Sequence, residues 1–307
     1  MVIDIALLGC AHPDLADVLG VVASEPDVRL AAVWDEDRSL IPAPVRDYAV
    51  ADAETAIGRA DAVVISATVG ERPVLCVRAA RAGRPALVQM PLALTQVESR
   101  RLTSELSRHR TPVLPALPLR ELPALARLRG SLRAGVLGRV SGVEAVLRRS
   151  RPIGHDGAGP PRRRTPDVTH GFVELAVHLL DALALLGEPP RLDAVSLDTR
   201  LGGADLGGAG LGRWGSAPLV VRASLAAAEP GLRLVVDGAR AGAELVDGAL
   251  VLRDGAGSAQ RWVGGPPDPG EPVRAFLARL RRRDFPRDPL AGVVRAQAVA
   301  EGAESLV

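Results

Sequence analysis

Three side chains in one helical stretch have types and spacing suited to proton chemistry. In Gly171-Phe172-Val173-Glu174-Leu175-Ala176-Val177-His178-Leu179-Leu180-Asp181-Ala182-Leu183, Glu174, His178 and Asp181 fall at i, i+4 and i+7. That spacing puts them on one side of a helix, while Leu175, Leu179, Leu183 and Leu186 form an apolar stripe. A carboxylate beside an imidazole orients it and raises its basicity, as a general acid/base near neutral pH requires. The competing reading is a solvated polar helix edge with i,i+4 pairs. A second group lies near the N-terminus. Gly9-Cys10-Ala11-His12-Pro13-Asp14 follows the apolar run Val2–Leu8 and occupies the frame of a G-x-G-x-x-G phosphate turn, with only its first glycine kept. Ala11 adds a methyl where the backbone would approach a pyrophosphate. Asp14 would compete with that anion at the helix N-terminus. The alternative is a plain turn with Asp14 as an N-cap and no cofactor. Asp35 ends the next apolar run, roughly 20 residues on, where an acid binds a ribose diol and repels a 2′-phosphate. NAD is therefore expected over NADP, although Arg38 weakens that preference.

The elements that must position these residues fall into two patterns. Apolar runs at Val28–Trp34, Ala62–Ala67, Pro85–Val88 and Pro112–Leu117 alternate with helical stretches at Asp14–Glu25, Ala53–Arg59, Arg72–Arg81 and Thr95–Arg108. This alternation predicts a doubly wound parallel sheet, a Rossmann dinucleotide-binding domain over residues 1–118. Beyond it, a helix at Leu122–Ala134, a strand at Arg139–Leu147 and the helix at Gly171–Gly187 precede short strands separated by glycine turns: Asp193–Leu197, Leu219–Leu225, Leu232–Val236, Ala243–Val246, Ala249–Leu252 and Gln260–Val263. They predict an α+β domain over 119–307 built on an open antiparallel sheet. Leu201–Gly215 and the arginine-rich stretch Ser150–Thr165 read as loops, the second a mobile one. Helices at Glu271–Arg283 and Leu290–Leu306 close the chain and could pack back on the first domain.

Composition narrows the function. The 307 residues, 47% hydrophobic, suffice for two packed domains. A net charge of +2 gives no electrostatic case for nucleic acid or an acidic membrane, and 2% aromatic content leaves few stacking platforms. Arg162-Arg163-Arg164 and Arg281-Arg282-Arg283 therefore read as solvated surface. The apolar runs are too short to span a bilayer, and Met1-Val2-Ile3-Asp4 lacks a basic leader, so a cytoplasmic protein is expected. Cys10 and Cys76 form no disulfide framework, and His12, His109, His155 and His170 make no metal motif. His170, just before the Glu174/His178 helix, could reach the same cleft. All 38 basic residues are arginine. Codon composition accounts for that bias, and no lysine ammonium is available for catalysis.

The order and spacing of several segments resemble the glucose–fructose oxidoreductase/inositol dehydrogenase/rhizopine-catabolism (Gfo/Idh/MocA) family over essentially the whole chain. They are Ile5-Ala6-Leu7-Leu8-Gly9, Asp61 to Thr68, Ala79 to Ala93, Ala134 to Val140, and His178-Leu179-Leu180-Asp181 followed by Leu185 to Pro189. The resemblance implies NAD(P)-dependent oxidation or reduction of a sugar, cyclitol or related alcohol or carbonyl. It also implies a homo-oligomer formed through the outer face of the antiparallel sheet. By position, His178 would be the acid/base on the substrate oxygen, with Glu174 or Asp181 orienting it, Asp181 touching substrate and Arg120 facing the cleft. Cofactor contacts would come from Gly9, Ala11 and His12 in the turn, from Asp35, from Thr68 and Val69 along the nicotinamide ribose, and from Arg72, Gln89 and Met90. The sequence departs from the family where Gln89-Met90-Pro91 replaces an acid-lysine-proline triplet and Arg72 replaces a common histidine. Arg120 or Arg72 would then supply the missing charge. The departures also admit a non-catalytic binding or partner protein, or a non-redox lyase or isomerase.

Overall fold

The computed structural model describes residues 2–150, 171–199 and 205–302. The described residues form two compact units, one lying within Met1–Pro118 and Pro269–Val294, the other within Leu119–Asp268 and Arg295–Val307.

In the first unit, β1 (Ile3–Leu8), β2 (Val28–Trp34), β3 (Ala62–Ile65), β4 (Ala86–Val88) and β5 (Val113–Pro115) form a parallel sheet in the order β2-β1-β3-β4-β5. The helices α1 (Leu15–Ser24), α2 (Ala53–Gly58), α3 (Arg72–Arg81) and α4 (Gln96–Leu106) connect the strands. β3 and β4 are buried at every residue, as central strands covered on both faces must be. α4 starts at a complete Thr95/Glu98 capping box. Strand order reverses across β1 and β3, and ligands of such sheets bind at the carboxyl ends of the strands beside that switch.

In the second unit, after α5 (Pro123–Arg133), eight strands make one sheet. They are β6 (Val140–Ser150), β7 (Pro190–Leu197), β8 (Gly207–Trp214), β9 (Ala217–Ser224), β10 (Ala226–Gly238), β11 (Ala241–Val246), β12 (Ala249–Asp254) and β13 (Ala259–Trp262), in the order β13-β12-β11-β10-β6-β9-β8-β7. All pairs are antiparallel except β6 with β9, so the expected antiparallel sheet is a mixed one at its centre. In the chain β6 and β9 are separated by α6 (Gly171–Leu186), β7 and β8, and a long crossover is what a parallel pair requires.

Leu201–Gly215, expected as a loop, contains β8. Its glycines mark close packing. A Cβ on Gly210 would lie 2.9 Å from Leu192 and 3.4 Å from Phe172, and one on Gly208 would lie 2.5 Å from the Ser196 carbonyl. Small residues let Phe172 of α6 settle against this strand. The predicted mobile loop Ser150–Thr165 lies outside the described residues apart from Ser150, the last residue of β6, as do His155, His170 and Arg162-Arg163-Arg164.

The segment after β13 adds α7 (Glu271–Arg282) and α8 (Ala291–Gly302). Val273, Phe276 and Leu277 of α7 join one buried cluster with Ile3, Ile5 and Leu7 of β1 and Val18, Val21 and Val22 of α1. Arg281 pins the same helix to Glu25 (2.6 Å) and Asp27 (2.9 Å). Among the described residues no helix is long and apolar enough to cross a membrane.

Candidate functional site

In the second unit, α6 begins where Asp205 caps it. The Phe172 amide donates to Asp205 Oδ1 (2.6 Å) and the Gly171 amide to the Asp205 carbonyl (3.2 Å). Further along, the Trp214 indole donates to the Leu183 carbonyl (3.0 Å). With both ends fixed, α6 is buried almost all round, including His178 and Asp181; Glu174 is half-buried. The polar positions are therefore not a solvated helix edge.

Asp181, 2% exposed, takes a bidentate grip from Arg120 in the 3₁₀ turn Pro118–Glu121. The Arg120 Nε donates to Asp181 Oδ2 (2.8 Å) and Nη2 to Oδ1 (2.7 Å). The sequence placed both residues at the site, and the structure brings them together. It does not make Asp181 the orienting partner of the imidazole. Instead, burial, then Arg149, then Arg120 push His178 down to about 3. The expected rise in basicity is thus reversed, because cations rather than a carboxylate act on a desolvated ring. His178 is neutral throughout the physiological range. It can accept or donate one hydrogen bond but is not an imidazolium acid.

Arg149 escaped the sequence reading. Val143, Ala145 and Leu147 are the buried alternate residues of β6, and Arg149 is the next residue of that row, on the side where α6 packs. An arginine continuing an apolar alternation was the signal available.

In the first unit, Gly9 closes β1 with φ +83°, and a Cβ there would lie 2.2 Å from Ala67 Cα. The glycine is required by the neighbouring strand's end. The amides that follow are all engaged. Gly9 donates to the Trp34 carbonyl (2.7 Å), Cys10 to Asp35 Oδ2 (2.6 Å), and Ala11 and His12 to the Ser66 carbonyl (3.1 and 3.0 Å). Pro13 has no N–H. Asp14 donates to His12 Nδ1 (3.2 Å) and Leu15 to the His12 carbonyl (3.1 Å). Asp14 stands at the N-cap position of α1, but its side chain makes no capping hydrogen bond, so the capping role expected of it is not realised.

Asp35 is 7% exposed and accepts from the Cys10 amide and from the Asp37 amide (2.8 Å), one to each oxygen. Burial outweighs these two bonds and pushes its carboxyl up. Each oxygen keeps a second lone pair, so the group still fits a ribose diol. Thr68 donates through both its amide and its hydroxyl to Glu71 Oε2. Burial raises the Glu71 carboxyl, Thr68 opposes the rise, and Glu36 adds to it. Val69 is buried next to Thr68.

Arg72 donates through Nε to the Ala67 carbonyl (3.0 Å) and through Nη1 to the Pro91 carbonyl (2.6 Å). It ties the end of β3 to the turn after β4, and those contacts hold the charge expected to replace a lysine. Gln89 is buried, and Met90, 2% exposed, precedes Pro91 through a cis peptide. A nicotinamide dinucleotide thus finds residues that fit its ribose at Asp35. At the turn after β1, no N–H from Gly9 to Leu15 is left for its pyrophosphate. Among the described residues no group of three or more His, Cys, Asp or Glu could hold a metal ion.

No protein-family model matches the sequence. Over 138 residues the chain is 29% identical to the dehydrogenase aclE of Aspergillus oryzae, a stretch covering 44% of this chain and 37% of that protein. The match therefore spans well under half the length of its curated relative. Across 99% of this chain the fold superposes on 98% of KijD10, a 3-ketoreductase from Actinomadura kijaniata solved with TDP-benzene and NADP, with a TM-score of 0.81 at 15% identity. An oxidoreductase from Agrobacterium radiobacter, solved with NAD+, L-tartaric acid and magnesium, gives a TM-score of 0.78 at 16% identity over 99% of this chain and 96% of that one. At such identities the likeness is one of fold.

Proposed function

We propose that this chain is an oxidoreductase of the nicotinamide-dependent kind, acting on the alcohol or carbonyl of a small polar molecule such as a sugar or cyclitol. Asp35 carries the reading. It is an acid held by two amides at the carboxyl end of β2, beside the switch in strand order, with acceptor capacity to spare for a ribose diol. The whole-length fold likeness to proteins solved with NADP and NAD+ supports it. Asp35, with Glu36 and Glu71 close by, favours NAD over the 2′-phosphate of NADP. When bound, the nicotinamide supplies the hydride acceptor or donor.

The chain's own contribution is substrate positioning and charge. His178, neutral, hydrogen-bonds the substrate oxygen. Arg149 and the Arg120–Asp181 pair flank it, so negative charge developing on that oxygen is stabilised electrostatically. The same negative charge, once there, restores basicity to the imidazole and lets it hold the hydroxyl proton. Glu174 lies one turn before His178 on α6. A homo-oligomer formed through the outer face of the β13–β7 sheet, a small-molecule partner and a cytoplasmic site of action belong to the same proposal.

Calorimetric titration of the purified protein with NADH and NADPH, followed by a screen of sugars and cyclitols for nicotinamide turnover, tests it. Saturable NADH binding with turnover of one such substrate is the expected result. No heat from either dinucleotide up to about 1 mM, the upper end of ordinary Michaelis constants, would abandon it. A second reading, a binding or partner protein without redox chemistry, is favoured by one observation. Met90 is apolar and buried where the family resemblance expects a lysine, and Arg72 is tied to carbonyls.

A further inference from the structure

We propose that the turn from Gly9 to Leu15 gives a bound dinucleotide no grip on its pyrophosphate, so that the first unit recognises nucleotides through the ribose at Asp35. The inference rests on the nicotinamide-dependent reading and states how that site holds its ligand. A pyrophosphate at a Rossmann turn is held by backbone N–H groups and the positive end of the following helix. Here the amides of the turn are taken, and the helix end carries acids. Gly9, Cys10, Ala11, His12, Asp14 and Leu15 all donate within the protein, and Pro13 has nothing to donate. The Ser66 carbonyl draws two successive amides inward, toward β3 and away from any ligand. The His12 imidazole, buried, accepts the Asp14 amide. Asp14 and Asp17 put two carboxylates at the start of α1, where the macrodipole would otherwise favour a phosphate. The surviving glycine does not argue for a ligand, because its φ of +83° and the approach of Ala67 already require it. The turn is satisfied as a structural corner, and its closure depends on Asp35: the carboxylate that fits a ribose also anchors the Cys10 amide.

The test is a ligand ladder on the full chain: adenosine, ADP-ribose and NADH titrated calorimetrically into the wild-type protein and a His12→Gly/Pro13→Ala variant. Wild type is expected to bind ADP-ribose within about threefold of adenosine, with little dependence on salt, since no phosphate-held counterpart is formed. The double variant, which returns an N–H at position 13 and frees the Asp14 amide, is expected to gain about tenfold on ADP-ribose and nothing on adenosine, one charge-assisted hydrogen bond's worth. Wild-type ADP-ribose binding more than about threefold tighter than adenosine overturns this inference and leaves the oxidoreductase reading intact. Binding of none of the three ligands overturns both. The wild-type ladder stands even where the double variant folds poorly.

Discussion

Removing the guanidinium from Arg120 leaves Asp181 as a buried carboxylate without its two charge-assisted hydrogen bonds of 2.8 and 2.7 Å. Breaking a fully buried pair from one side costs about 3–5 kcal/mol, because the surviving charge is uncompensated. Here the acid side chain is 3% exposed and the arginine 24%. Water reaches one partner only, which lowers the expected loss for Arg120→Ala to about 2–4 kcal/mol. Urea denaturation at neutral pH reads it, followed by circular dichroism and by tryptophan fluorescence. Trp214 is bonded to the Leu183 carbonyl and reports directly on α6. The cost comes from an orphaned charge and not from lost packing, so the Arg120→Leu/Asp181→Leu double variant should recover most of it. A loss below about 0.5 kcal/mol, the value of an exposed pair, refutes the reasoning. So does a double variant as unstable as the sum of the singles.

His178 should make stability fall with acid. Its folded-state value, about 3, lies below the ordinary 6.5, so between those limits the unfolded chain binds the proton that the native state refuses. Stability is then lost by about 1.4 kcal/mol per unit as pH falls through that window; His178→Gln should flatten the slope in denaturant titrations at stepped pH, and an unchanged slope counts against a neutral buried imidazole. Gly9→Ala, forcing a Cβ to 2.2 Å from Ala67 at φ +83°, should destabilise the first unit by more than about 2 kcal/mol in thermal melts; a melting temperature equal to wild type disproves the close approach. Met90→Lys would place an ammonium at a position 2% exposed, where burial depresses its pKa. The variant should therefore lose more stability near pH 6 than near pH 9, and equal losses at both would mean that the new side chain reaches water.

The parallel half of the fold was legible because buried central strands write themselves as unbroken apolar runs: Val63, Val64 and Ile65 admit little else. β8 was not, since its signal is four glycines, and a sequence does not say whether a glycine frees a loop or lets Phe172 approach a strand. The identity of the site residues on α6 was readable from helical spacing, whereas their roles were not. Whether Asp181 serves His178 or Arg120 depends on the Pro118–Glu121 turn, 61 positions away in the chain. The state of His178 likewise depends on Arg149, which arrives from β6. At the turn after β1 the degraded glycine pattern was plain. That Ser66 receives two of its amides is a contact between two strand ends and leaves no local trace.

The first unit is written in two pieces separated by the whole of β6 to β13. Val273, Phe276 and Leu277 reach the cluster around β1 and α1 from the far end of the chain. During synthesis on the ribosome the N-terminal sheet therefore waits, with one side of its apolar core uncovered, until the segment from Pro269 emerges. A gene fragment that stops at Pro118 encodes an unfinished domain. Expressed alone, it should be sticky and prone to aggregate, and a peptide covering Pro269–Val294 supplied in trans should be what rescues it.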